Sequence, residues 1–255
     1  MIRRTDGADW LLIAQPDHAA LCGLFAERWD SPRAGLAFGE PRDPVIIAAR
    51  EHDNGWAEWE AAPTVDPEAA RPRHFTEMPV REILPIWRRG PRRAADRDPY
   101  AGLLVSLHAT RLLRPRSASG RDVPEDREHL RRFLEETEGF QARARQALGL
   151  QEAMVAAHSR LIAAWDRLSL LVCCGPIPAA TLEDVPARGG AIALKVIPSG
   201  ERSAALEPYP FGGRALELDV PARRVPARAY ATSEALRQAL AVAPAETLRF
   251  TLHPA

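Results

Sequence analysis

"LQEAMVAAHSRLIAAWDRLSLLVCCG" (residues 150–175) decides how the chain is read, because the sequence changes character where this stretch ends. It reads as one long helix, and the segments at 17–29, 44–53, 99–113 and 124–147 carry the same helical spacing of apolar residues. Beyond residue 175 come "AIALKVI" (191–197), "ALELDV" (215–220) and "LRFTL" (248–252), short β-rich runs bounded by Pro and Gly. Ten of the 23 prolines lie there, which stops any extension of the helical part. A short helix fits 233–241 with Ser233 as its N-cap, and "WLLIA" (10–14) reads as a strand able to pair with the C-terminal ones. The Pro- and Arg-rich 62–99 and the polar "RPRSASGRDVPED" (114–126) read as surface loops. The expected fold is mainly α, a helical bundle over 1–175 with a small β appendage over 176–255 packed on it, or the two as one continuous domain.

Composition excludes several classes of function. The formal net charge is zero, Lys195 is the only lysine, and no basic stripe marks a nucleic-acid partner. Cys22, Cys173 and Cys174 form neither a disulfide framework nor a zinc-ribbon spacing, so buried thiols in a reducing cytoplasm are expected. No run of 18 apolar residues occurs, and a membrane partner is not expected. Nucleophile-elbow, P-loop and dinucleotide motifs are missing, and oligomeric state is open. The expected partner is a small-molecule substrate.

In the long helix, Asp166 shares a face with Ile162, Ala163, Ser169 and Leu170, where an ionised carboxylate is costly unless paired or bound to a metal. Three other helices pose the same problem. His18 lies beside Leu21 and Cys22, with Asp17 placed as a cap, and His108 falls between Leu104 and Leu112. The run "AAREHDNGWAEWE" (48–60) ends its apolar helix at the adjacent pair His52-Asp53, and Asn54-Gly55 fits a left-handed C-cap. Adjacent side chains on a helix diverge by about 100°, so the pair can reach one ion or two neighbouring ones. Each residue alone reads as a hydrogen-bonded core or capping group. One metal site built from facing helices explains them together, and imidazole with carboxylate suits Fe, Mn, Co or Zn.

The pattern His18 … His52-Asp53 … Asp166 resembles the HD-domain superfamily of metal-dependent phosphohydrolases. The phrases "QPDHAALCG", "HDNGWAEWE", "DPYAGLLVSLH" and "WDRLSL" look more closely like an uncharacterised bacterial family of unknown function, over most of the chain. The resemblance implies an HD-like bundle in which His18, His52, Asp53 and Asp166 hold the first of one or two divalent transition ions. It places Asp53 to bridge a second ion or to orient the attacking water. His108 becomes a second-metal ligand or a catalytic contact. Arg111, one turn on, can offer a forked donor to a phosphate, and otherwise is a solvated arginine. Trp56 and Trp59 form a pocket wall or plug the core, while Glu58 and Glu60 are acid–base candidates or exposed carboxylates. The chain departs from the superfamily pattern in having no lysine shortly after His52-Asp53.

The expected activity is hydrolysis of a small phosphoester or nucleotide by metal-activated water. One alternative is a mixed-valent di-iron HD-type oxygenase, which needs His74 as well as His108 on the metal. His129 reads as solvated and His158 as packing or supporting. The other alternative is a non-catalytic metal-binding scaffold or sensor.

Overall fold

The computed structural model describes residues 1–32, 35, 36 and 38–255. The chain opens with a hairpin of β1 (Ile2–Asp6) and β2 (Asp9–Ile13), followed by α1 (Gln15–Arg28), α2 (Arg42–Glu51) and the short α3 (Ala57–Ala61). A small ladder of β3 (Val65–Asp66) and β4 (Arg71–Pro72) leads to α4 (Val80–Arg97), α5 (Pro99–Ala118), α6 (Pro124–Leu148) and α7 (Glu152–Cys173). The last third runs β5 (Ala180–Ala187), β6 (Gly190–Gly200), β7 (Ser203–Glu207), β8 (Leu216–Pro226), α8 (Ser233–Val242) and β9 (Ala245–Pro254).

The expectation of a helical bundle with a small β appendage is wrong. Seven strands form one mixed sheet in the order β1-β2-β8-β9-β7-β6-β5, antiparallel throughout except between β7 and β9. The "WLLIA" strand pairs with β8, Leu12 opposite Arg223. One apolar core then joins the sheet to the helices: Ile2, Ile13 and Leu248 pack in the same cluster as Phe25, Leu104 and Trp165.

Three strands of the sheet, β1, β5 and β7, escaped the sequence reading, the first two for a visible physical reason. In β1, the inward position Arg4 is a buried arginine that breaks the apolar alternation. Its guanidinium donates to the carbonyls of Val172 (3.3 Å) and Gly175 (2.6 Å), so it caps the carbonyl end of α7 and ties it to the sheet. In β5, the pairing with β6 shifts register between Leu182 and Val185, which disrupts the period of two.

The segment 62–99 is not a loop: its second half is α4, in spite of Pro85 and Pro91 inside the helix. Val80, Ile83, Leu84, Trp87 and Ala94 recur on one buried face, and that burial outweighs the two lost backbone hydrogen bonds. Likewise α5 continues to Ala118, into the expected polar insert. Smaller corrections concern caps. Thr232, not Ser233, caps α8 by accepting from Ala235 N at 3.1 Å. Asp17 lies inside the first turn of α1, whose N-cap is Ala14. Among the described residues no helix is long and apolar enough to cross a membrane.

Asn54-Gly55 is not a left-handed cap. Residues Asn54–Trp56 continue α2 as a 3-10 turn. Gly55 is needed there for closeness: a Cβ would lie 2.2 Å from Ile86 O and 3.0 Å from Gly90 N, both backbone atoms of α4. The turn that follows His52-Asp53 is therefore pressed directly on the helix that walls the site.

Candidate metal centre

Four helices deliver five buried polar side chains to one place. His18 comes from α1, His52 and Asp53 from the end of α2, His108 from α5 and Asp166 from α7. His18 Nε2 lies 2.8 Å from Asp53 Oδ2 and 4.0 Å from Asp166 Oδ1. His52 Nε2 lies 3.4 Å from Asp166 Oδ1 and 3.7 Å from Asp53 Oδ2. His108 Nε2 is 3.8 Å from Asp166 Oδ2. The rings of His18 and His52 are 5.1 Å apart, and those of His52 and His108 are 4.8 Å apart.

These separations suit a shared ion. Two ligands each about 2.1 Å from one metal are separated by roughly 3–4.2 Å, according to the angle between them. The donor atoms of His52, His108 and Asp166 all fall within 4.8 Å of one another; Cys22 lies equally near His18 and His52, but its thiol is turned to Ser169 and stands outside the ligand set. Hydrogen bonding points the same way. His52 Nδ1 donates to the carbonyl of Ala49 at 2.8 Å, so the neutral ring keeps its lone pair on Nε2, toward the cluster. That Nε2, Asp53 Oδ1 and His108 Nδ1 are all buried without a hydrogen-bond partner. Three unpartnered polar atoms in one buried cluster are costly unless something binds there. Buried His and Asp groups that could hold a metal ion are thus present.

The electrostatics follow from crowding. Burial opposes protonation of His52, but the carboxylates of Asp53 and Asp166 outweigh it and hold the ring at about 9. With nothing bound, Nε2 therefore carries a proton toward them, and an ion would have to displace that proton to use the lone pair. His108 goes the other way: burial pushes it down to about 4, against the pull of Asp166. Burial alone would raise both carboxyls, yet the surrounding histidines keep Asp53 and Asp166 below the usual carboxylate range. Burial drives the Cys22 thiol well above its ordinary value, so it stays an S–H and points to Ser169 Oγ at 3.2 Å.

Two openings reach the cluster. A cavity of about 260 Å³ is lined by His18, Asp53, His108 and Asp166, with Trp56, Phe75, Ile83 and Trp87 among its apolar walls. A groove of about 590 Å³ shares His108 and Asp166 with it and carries Arg111 and Arg167. Trp56 is both wall and plug: it is buried and stacks edge-on against Trp59 at 5.8 Å. Arg111 is exposed at the groove, not inside the aromatic cavity.

The other candidates lie elsewhere. His74 caps the 3-10 turn Phe75–Glu77, accepting from Thr76 N at 3.4 Å. His129 is half-buried beside Glu125, and His158 pairs with the Tyr100 hydroxyl at 2.8 Å. Glu58 pairs with Arg93 and, at 3.3 Å, with Arg89. Glu60 binds the terminal amine at 2.8 Å. Sequence reasoning missed Arg121 and Arg167, which are ordinary surface arginines until the fold places them at the two openings. It also gave no role to Ser169, although the spacing of three from Asp166 puts both on one helix face.

Residues 1–227 match a family described as protein of unknown function (DUF3891). The chain belongs to this family. No curated protein and no solved structure matches the chain. The expected membership of an uncharacterised family therefore holds, and a DUF3891 protein carries its buried His/Asp cluster inside the matched region.

Proposed function

We propose that this protein is a metal-dependent hydrolase of a small phosphoester, built on an HD-type ligand set of His18, His52, Asp53 and Asp166 with His108 beside it. The observation that carries the reading is the convergence of unpartnered buried atoms, His52 Nε2 and Asp53 Oδ1 among them, at separations suited to one or two ions. The sequence resemblance to the HD superfamily supports it. A divalent ion held there would lower the pKa of water toward neutrality and polarise a phosphoryl oxygen.

The chain's own groups supply the rest. Asp53 Oδ1 has no internal partner, so it is free to accept a hydrogen bond from, and orient, the attacking water. His108 is kept neutral by burial, so it contacts the substrate or a second ion without adding charge. Arg111 and Arg167 offer forked donors to non-bridging phosphate oxygens from the groove, taking the part of the missing lysine. Trp56, Phe75 and Trp87 exclude water and receive an apolar or ring-bearing portion of the substrate. His74, engaged as a turn cap, does not supply the additional histidine that the di-iron oxygenase alternative requires.

The test is metal analysis of the purified protein, then a phosphoester panel assayed with wild type and Asp53→Asn. One or two transition ions per chain, with phosphate release lost in Asp53→Asn, is the expected result. Bound metal without turnover on any ester would leave a scaffold or sensor. Uptake of O2 with a coupled Fe(II)/Fe(III) signal would replace hydrolysis by oxygenation.

A further inference from the structure

We infer that Ser169 is a positioning residue of the metal centre, the group that holds His18 in its metal-binding tautomer. The inference rests on the metal-centre reading above but concerns a residue outside the ligand set.

Ser169 is fully buried on α7, three residues after Asp166. Its hydroxyl donates to the Asp166 carbonyl at 2.8 Å, an atom that can only accept. With its proton committed there, Oγ presents lone pairs elsewhere. His18 Nδ1 sits 2.9 Å from Oγ, and the Cys22 thiol approaches the same oxygen at 3.2 Å. The imidazole must therefore carry its proton on Nδ1 and donate it to Ser169. In the neutral ring that leaves the lone pair on Nε2, which faces Asp53 Oδ2 at 2.8 Å. Two acceptors at that distance repel unless a proton or a metal ion lies between or beside them, and a bound ion would take the place of that proton. The hydroxyl thus makes the ring a ligand, and without it the ring relaxes to the opposite tautomer, with Nε2–H donating to Asp53.

One hydroxyl also couples two ligands on different helices. It fixes the ring of His18 on α1 while bonding the backbone of Asp166 on α7. Groups that orient a ligating histidine through its other nitrogen typically contribute about 10–100-fold to metal affinity.

The experiment titrates Co2+ into metal-free full-length protein, follows the visible absorption that reports its coordination, and reads His18 tautomer from ring 15N shifts. Three variants are compared with wild type: Ser169→Ala, Ser169→Thr and Cys22→Ala. Ser169→Ala removes one buried oxygen from a helix and is expected to fold with a cooperative transition. We expect it to bind Co2+ about 10–100-fold more weakly, with His18 shifted toward the Nε2–H form. Ser169→Thr keeps the hydroxyl and is expected to stay nearer wild type than Ser169→Ala. Cys22→Ala is expected to bind within about 2-fold of wild type. A Ser169→Ala protein that binds as wild type and keeps the Nδ1–H tautomer overturns the inference and leaves the metal centre standing. A loss in Cys22→Ala exceeding that in Ser169→Ala also overturns it, by making the thiol the important neighbour. Wild type that binds no Co2+ sinks the metal centre itself, which is a different failure.

Discussion

Gly55→Ala tests how the site is braced. The substitution adds one methyl group at a position where a Cβ would sit 2.2 Å from Ile86 O and 3.1 Å from Ile86 C. An ordinary carbon–oxygen contact is close to 3.2 Å, so the two backbones must separate by about 1 Å, and no flexible side chain can give way. The turn is also tied to α4 by Arg89 to Gly55 O at 3.0 Å and Arg93 to Asn54 O at 2.9 Å, bonds that any separation would lengthen. Overpacking costs about 1–3 kcal/mol in general, and a contact with backbone on both sides belongs at the upper end. At roughly 2–4 °C per kcal/mol for a chain of this size, melting should fall by about 6–12 °C. Gly139→Ala is the control. Its Cβ would meet nothing closer than Arg143 Nη1 at 3.4 Å, and an alanine inside α6 should stabilise by about 0.5–1 kcal/mol. Circular dichroism of both variants, metal-free, measures the effects. A Gly55→Ala protein within 0.5 °C of wild type, or one shifted no more than the control, would refute the close-approach argument.

Other outcomes follow from the same geometry. Saturating metal at about 100-fold over its Kd should raise stability by about 2.7 kcal/mol, and His52→Ala should abolish that gain in a melting scan with and without a chelator. Pro85→Ala restores an amide able to bond Arg81 O inside α4 at an exposed position, and should raise the melting temperature. An unchanged or lower value would mean the ring is better accommodated than its missing N–H implies. Stability should fall as pH drops from about 6.5 to 4. His74 is held at about 4 by burial and then by Arg3, so the unfolded chain takes up its proton first. Below 4.5 the loss should steepen, because Glu77 is held at about 2: burial opposes this, but the bond from Arg3 outweighs it. Urea midpoints of His74→Gln across that range should show a flatter upper limb. If Arg111 and Arg167 seat a phosphate, removing both should raise KM more than it lowers kcat, and an unchanged KM would dismiss them.

The buried His/Asp cluster was more legible than the fold. His18, His52, Asp53, His108 and Asp166 each stood at an apolar position of a helix, and a polar side chain in such a stripe needs an explanation that the sequence already demands. Their meeting point needed the fold. Helix α4 was hidden because local rules about proline and arginine outweighed a long-range fact, the burial of Ile83, Leu84 and Trp87 against α5 and α6. The sheet was underestimated for a similar reason. Its first strand carries a buried arginine whose partners, Val172 and Gly175, lie about 170 residues away, |i−j| = 168 and 171. Gly55 was read as a conformational signal when the reason was contact, and nothing local distinguishes the two.

The pairing of β2 with β8 has a kinetic consequence. Leu12 lies opposite Arg223, and α1 with His18 follows β2 directly. At about 5–20 residues per second, a nascent chain waits on the order of 10–40 s between making those two strands. During that interval the helix bearing His18 has only the β1–β2 hairpin of the sheet beside it, while α2, α5 and α7 emerge in turn. Because α1, α2, α5 and α7 are all made before β8 and pack on one another, the His/Asp cluster can assemble ahead of the finished sheet, and the closing of β2 onto β8 is expected to be a late step of folding.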